Sequence, residues 1–204
     1  MTSAQSSALT IYGDSLSGNC QKIKFVADHL GIAYDWVETS VLNKETRTPQ
    51  FLALNPAGQV PLAVFPGHGP LAQSGAIILH LAEGSALIPK DPFQRALMLQ
   101  WMFWEQYTHE PAVAVLRFQK FYLKKSDDQI DPSLVRRSAR VLTQMNDHLA
   151  GAHYFVGEAV SLADVALVAY TRVAHEGGMS LEQYPHVRDW VRRVETALNI
   201  EHAV

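Results

Sequence analysis

The sequence contains a single cysteine, Cys20, in 204 residues. That rules out a disulfide within the chain and fits a reducing compartment. An excess of one charge is also missing: 17 Lys and Arg stand against 20 Asp and Glu, a formal net charge of −3, with neither sign clustered. Nucleic-acid binders carry a basic patch or stripe, so that class is disfavoured. No apolar run approaches the roughly 20 residues that a membrane-crossing helix needs. The first eight residues, MTSAQSSA, have neither the basic start nor the apolar stretch of a secretory signal, and a cytoplasmic location is expected. The nine His are scattered, none paired with the cysteine at ligand spacing, so no metal site is expected.

What is present divides into two rhythms. The composition, 48% hydrophobic and 18% charged, predicts a well-packed core. Residues 9–84 alternate strand and helix signals. The run LTIY is followed by Ile23, Val26, Ala27 and Leu30 at helical spacing, with Gly31 where a helix ends. YDWVE reads as a strand, and ETRTPQFLAL as a loop with a helical turn. QVPLAVF and GPLAQ flank PGHG, a hairpin signal. Ser74 then opens an apolar helix that Gly84 can end. The order is β-α-β-α-β-β-α, an α/β layer with a small mixed sheet. Beyond a linker at 85–91 the strand signals nearly vanish. Asp91–Pro92 and Asp131–Pro132 are cap and first-turn pairs. Leu134, Val141, Leu142, Met145 and Leu149 form one helical stripe. Val187, Trp190, Val191, Val194 and Leu198 form another, after Pro185. Ser161 with Asp164 makes a capping-box variant. Residues 92–204 therefore read as an all-α helical bundle.

Three local features carry possible chemistry. In SLSGNC a strand runs into a helix through Ser17, Gly18 and Asn19, and the first helical turn favours an anion. Taken alone, Ser17 or Asn19 is simply a helix cap. In GQVPLAV, Pro61 cannot donate to a sheet ladder and belongs at a strand start. A trans bond before it is the ordinary state. A cis bond would leave the Val60 N–H and C=O for an extended peptide ligand. In LAQSGAI, Gln73 and Ser74 bring polar groups to a helix start that suits a carboxylate, although Ser74 alone reads as a cap.

With SGNCQKIK, LNPAGQVP, LAQSGAIILHLAE and SLADVALVAYTRV read together, the chain resembles a cytosolic glutathione S-transferase over nearly its whole length. The resemblance implies a thioredoxin-like glutathione-binding domain at 1–84 and the family's helical domain at 92–204. It also implies a transferase with glutathione as substrate, a homodimer, and a role in detoxification. The turn is similar to that of the serine-type enzymes. Glutaredoxin-type relatives hold Cys-x-x-Cys there, and here Ser17 takes the first slot and Cys20 the second. By this resemblance Ser17 donates a hydrogen bond to the glutathione sulfur and favours its thiolate, with Asn19 assisting. Gln59 reaches the glycyl carboxylate, Val60 before Pro61 pairs with the cysteinyl unit, and Gln73 and Ser74 hold the γ-glutamyl end. Such enzymes often have a His before RTPQF; this sequence has Thr46, which makes Arg47 the candidate at the glycyl end.

An electrophilic or disulfide co-substrate is expected against the helical half, where 101–118 is dense in aromatics. Tyr107, His109, Glu110 and Arg117, around a helix break expected at Pro111, are the pocket candidates. Glu105 or Gln106 is the candidate for the side chain that the family's partner subunit brings to the γ-glutamyl amine. Cys20 is expected to be structural. The rival readings are a glutathione-dependent disulfide reductase on the same fold and a non-catalytic binding module.

Overall fold

The structure, a computed structural model, describes residues 8–203. The reading of the N-terminal stretch as no secretory signal falls, for residues 1–7, outside the described residues. The chain divides into two compact units, residues 1–85 and 86–204.

In the first unit the order is β1 (Leu9–Gly13), α1 (Gly18–His29), β2 (Tyr34–Glu38), a 3-10 turn at Glu45–Arg47, α2 (Pro49–Leu54), β3 (Leu62–Phe65), β4 (Gly69–Ala72) and α3 (Ser74–Leu81). This is the β-α-β-α-β-β-α series expected from the apolar periodicity. The four strands form one mixed sheet in the order β2-β1-β3-β4. β1 is parallel to β2, a pairing that needs a crossover, and α1 supplies it. β3 runs antiparallel to both β1 and β4, the latter joined through the hairpin read from PGHG. Along β1, Leu9, Ile11 and Gly13 are buried while Thr10 and Tyr12 are half-buried, the period of a strand. Ile11, Ile23, Val26, Leu62, Ile77 and Ile78 form the core, with α1 packed on α3. At the end of α1, Gly31 takes φ +65, and the Ile32 N–H returns to the Ala27 carbonyl at 2.9 Å. A left-handed residue makes that bond possible, which is why glycine stands there.

The second unit is helical. α4 (Pro92–Trp104) continues into a π-helical stretch at Glu105–Ala114, then α5 (Val115–Arg117) and a second wide turn at Phe118–Tyr122. α6 (Pro132–Leu149), α7 (Leu162–Thr171) and α8 (Pro185–Leu198) follow. Asp91 and Asp131 cap α4 and α6 through their carboxylates, each with Pro in the first turn. Every residue of α7 is buried, and α4 and α8 pack against it. Both helical stripes read from the sequence, on α6 and α8, face inward.

The helix does not break at Pro111. It passes through Pro111 inside the π-helical stretch. A wider turn with a shifted hydrogen-bond ladder tolerates a residue that has no N–H and whose ring would collide with a carbonyl of a tight α-helix.

Asp164 does more than complete a capping box. Its Oδ2 accepts from the Ser161 N–H and hydroxyl, both at 2.9 Å. Its Oδ1 accepts from the Phe155 N–H and the Trp190 indole N–H, again at 2.9 Å. One carboxylate at 0% exposure thus ties the start of α7, the loop before it and α8 together. Among the described residues, no helix is long and apolar enough to cross a membrane.

Candidate active site

The strand-to-helix turn is built by residues the sequence reading did not single out. Asp14, buried at the end of β1, accepts from the Leu16 N–H and from the Val41 N–H, both at 3.0 Å. Glu38 accepts from the Ser15 N–H at 2.9 Å and from the Trp36 indole at 2.8 Å. These carboxylates shape the loop that delivers Ser17 to the N-cap of α1. Ser17 makes no side-chain cap hydrogen bond there, so the plain capping reading does not hold. Its side chain lies near enough to Cys20, three residues on, to pull that thiol's pKa down.

Cys20 is fully buried. Burial pushes its thiol up from 9.0 to about 12, against the pull of hydrogen bonds from the Ser17 side chain and the Asp14 backbone. A thiol held neutral and out of solvent is a poor nucleophile. The linkage has a definite sign. The folded pKa is raised, so the stability gained by keeping this thiol neutral is complete below pH 9.0 and is lost as pH climbs toward about 12. Two results should follow. Native protein at pH 8 should label with a thiol reagent only as fast as it opens, and Cys20→Ala should flatten the alkaline fall in the melting temperature.

The second feature is the loop before β3. The Val60–Pro61 peptide bond is cis. Asn55, also passed over in the sequence, sets the loop: its Nδ2 donates to the Gln59 carbonyl at 2.8 Å and its Oδ1 accepts from the Ala57 N–H at 3.2 Å. Gly58 has φ +62, and a Cβ there would lie 2.4 Å from Arg47 Nη1. The left-handed backbone favours glycine there, whereas the exposed Arg47 tip is flexible and would shift for a Cβ. Arg47 is exposed and donates to the Ala57 carbonyl at 3.3 Å, which places its guanidinium beside the Gly58–Gln59 segment. Gln59 is exposed and Val60 half-buried, two residues ahead of β3. Thr46, by contrast, is buried.

The third feature is the start of α3. The N-cap is Gln73, not Ser74, and Gln73 holds φ 73 and ψ 113. A non-glycine residue in that region costs on the order of 1–3 kcal/mol and persists only where the surroundings demand it. Ser74 is the first helical residue and is buried; its hydroxyl donates to Asn19 Oδ1 at 3.1 Å. The same oxygen accepts from Lys22 Nζ at 2.8 Å. The oxygen of Asn19 is thus engaged inside the domain, linking α1 to α3. The starts of these two helices, the turn and the Pro61 loop all belong to the first unit.

In the helical unit two expected pocket residues are corrected. His109 is fully buried: its Nε2 lies 2.9 Å from Thr171 Oγ1, and its Nδ1 lies 3.9 Å from Glu105 Oε1. Thr171 spends its own hydrogen on the Leu167 carbonyl at 2.7 Å, so the His109 Nε2–H is the donor. Arg117, also buried, pairs with Glu176 and lies 5.0 Å from the Phe121 ring centre. Both serve the interior, because a polar group on the inner face of a helix stays there when a partner meets it. Glu105 is buried as well and accepts from the Gln106 side chain, itself exposed, at 2.8 Å. Tyr107 is 88% exposed and Glu110 half-buried, accepting from Gln106 at 2.7 Å. Trp101 packs between Trp104 and Phe155, and Phe155 meets Trp190, so these two half-buried tryptophans of the aromatic-rich stretch pack against the core.

A thioredoxin-like first unit with a helix-start turn, a cis proline loop and a strained residue before Ser74, followed by a helical unit, defines the architecture of the glutathione transferases. Comparison with known proteins agrees. The family model "Glutathione S-transferase, N-terminal domain" matches residues 16–83, and "Glutathione S-transferase, C-terminal domain" matches 103–197. A solved glutathione S-transferase from Pseudomonas fluorescens is 40% identical, covering 97% of this chain and 100% of that one with a TM-score of 0.91. Glutathione S-transferase 3 of Zea mays is 29% identical over 194 residues, 89% of this chain and 86% of that protein. A glutathione transferase from Pseudomonas putida, solved with one glutathione disulfide bound per subunit, is 25% identical over 97% of this chain and 91% of that one, with a TM-score of 0.83. The chain belongs to the glutathione S-transferase family.

Proposed function

We propose that this enzyme binds glutathione in its first unit, favours the thiolate through the Ser17 hydroxyl, and transfers the sulfur to an apolar electrophile. The observation that carries the reading is the joint presence, in one domain, of Ser17 at the start of α1, cis Val60–Pro61, and Gln73–Ser74 at the start of α3. In this reading Val60 pairs its backbone with the cysteinyl unit, Gln59 and Arg47 take the glycyl carboxylate, and the start of α3 takes the γ-glutamyl end. Tyr107 and Glu110 are the helical-unit residues retained for the co-substrate, and a homodimer in the cytoplasm is part of the proposal.

The energetics suffice. Lowering a thiol pKa by two units takes roughly 2.7 kcal/mol. One hydrogen bond to a charged sulfur supplies about 1.5–3 kcal/mol, and the helix dipole adds to it. The glutathione thiolate forms the new carbon–sulfur bond as the electrophile's leaving group departs with its electron pair. The protein's part is to place and activate that thiol.

Calorimetry with glutathione, followed by conjugation to an aryl halide, tests this directly. Saturable one-site binding and turnover are expected. A flat titration would hand the chain to the binding-module reading.

A further inference from the structure

We propose that Asp14 is a positioning residue for the thiol-activating Ser17, a role that rests on the glutathione reading above. Asp14 is 4% exposed, and both its carboxylate oxygens are engaged inside the domain. Oδ1 accepts from the Leu16 N–H and Oδ2 from the Val41 N–H, each at 3.0 Å. The first bond tightens the turn itself, and the second ties it to the loop after β2. That loop is closed by its own bonds: the Lys44 N–H returns to the Val41 carbonyl at 3.2 Å and the Glu45 N–H to the Ser40 carbonyl at 3.1 Å. Asp14 therefore anchors the turn to a fixed piece of chain.

Ser17 ends that turn as the N-cap of α1, with no side-chain bond to its own helix. Its backbone therefore sets where the hydroxyl starts from. The Ser17 N–H donates to the Asp14 carbonyl at 2.9 Å, and the Ser17 carbonyl accepts from the Gln21 N–H at 2.9 Å. Asp14 holds Ser17 directly through its main chain and indirectly through its carboxylate. Only a side chain with two acceptor oxygens meets both donors, because an Asn amide would turn an N–H toward one of them. The charge itself opposes a thiolate in this turn: burial first, then the charges of Asp14 and Glu38, raise the Cys20 thiol. Geometry and charge act on the sulfur of glutathione in opposite directions. Geometry prevails, since a misplacement of about 1 Å costs roughly 100-fold in rate. A carboxylate answered by two backbone N–H groups has its field partly spent on them.

The test compares wild type, Asp14→Asn, Asp14→Ser, Ser17→Ala and the Asp14→Asn, Ser17→Ala double variant. Glutathione affinity is read by calorimetry, kcat by conjugation to an aryl halide, and the pKa of the bound thiol by ultraviolet titration. Asp14→Asn should lower kcat about tenfold and leave glutathione affinity nearly unchanged. It should move the bound thiol's pKa up toward the free value of about 8.5. On the Ser17→Ala background it should change nothing further, because it acts through that hydroxyl. A bound pKa that falls, with kcat rising, shows that charge prevails and overturns the proposal. So does a lowered melting temperature with kcat and pKa unchanged, or a loss of kcat that recurs in full without the Ser17 hydroxyl. Should Asp14→Asn fail to melt cooperatively, Asp14→Ser decides, since a serine there can still meet the Leu16 N–H but not that of Val41. An unchanged bound pKa in that variant sinks the positioning role. Wild type that binds no glutathione, or Ser17→Ala that leaves the bound pKa where it was, overturns the underlying reading instead.

Discussion

Ser17→Ala should lower kcat/KM for glutathione conjugation by roughly 10- to 100-fold, the loss of one hydrogen bond to a developing thiolate. The loss should fall mainly on kcat at pH 6.5 and shrink as pH rises, because alkali ionises glutathione without help from the protein. Binding should change little, since Ser17 is assigned to the sulfur and not to either end of the tripeptide. Ultraviolet titration of the bound thiolate is the sharper measurement: its pKa should move up toward the free thiol's value of about 8.5. Cys20→Ala is the control. The Cys20 thiol is pushed up to about 12 by burial. Removing it should leave at least most of the activity. If Ser17→Ala keeps full activity while Cys20→Ala loses it, the roles are reversed and the chemistry belongs to the cysteine.

The largest effect on stability is expected at Asp164. Substitution by Ala would strand the Phe155 N–H, the Ser161 N–H and the Trp190 indole N–H, all of which point at this one carboxylate inside the protein. Each buried donor left without an acceptor costs about 1–3 kcal/mol, so a total on the order of 4 kcal/mol is expected. That is a large share of the stability of an ordinary domain. Urea unfolding should show the midpoint falling sharply. Asp164→Asn should fall between wild type and Ala, because the amide keeps one acceptor and turns a donor toward groups that are already donors. An Asp164→Ala protein within 1 kcal/mol of wild type, a threshold set at about one ordinary hydrogen bond, would show that the three elements it joins do not depend on it.

Much of this could be read from the chain alone. Element order, the Asp-Pro helix starts and the inward stripes of α6 and α8 follow from spacing, because burial and backbone geometry impose period and caps on any amphipathic segment. The Gln73–Ser74 signal was legible in its position, though the cap proved to be Gln73. The π-helical passage through Pro111 was not, since local preference says that proline ends a helix and only packing around Glu105–Ala114 keeps it going.

Residue types and spacing thus settled the architecture and pointed to the turn, the proline and the start of α3. They did not settle which polar groups work inward. His109, Arg117 and Lys22 look alike in a sequence with any exposed side chain of their kind. Lys22 is met by Asn19, three positions back on its own helix, but His109 and Arg117 are buried because distant residues, Thr171 and Glu176, meet them. Such partnerships link different elements and leave no periodic trace in the chain. The two helix starts, Ser17 on α1 and Ser74 on α3, are 57 positions apart in the numbering, yet Asn19 bridges them with a single oxygen atom.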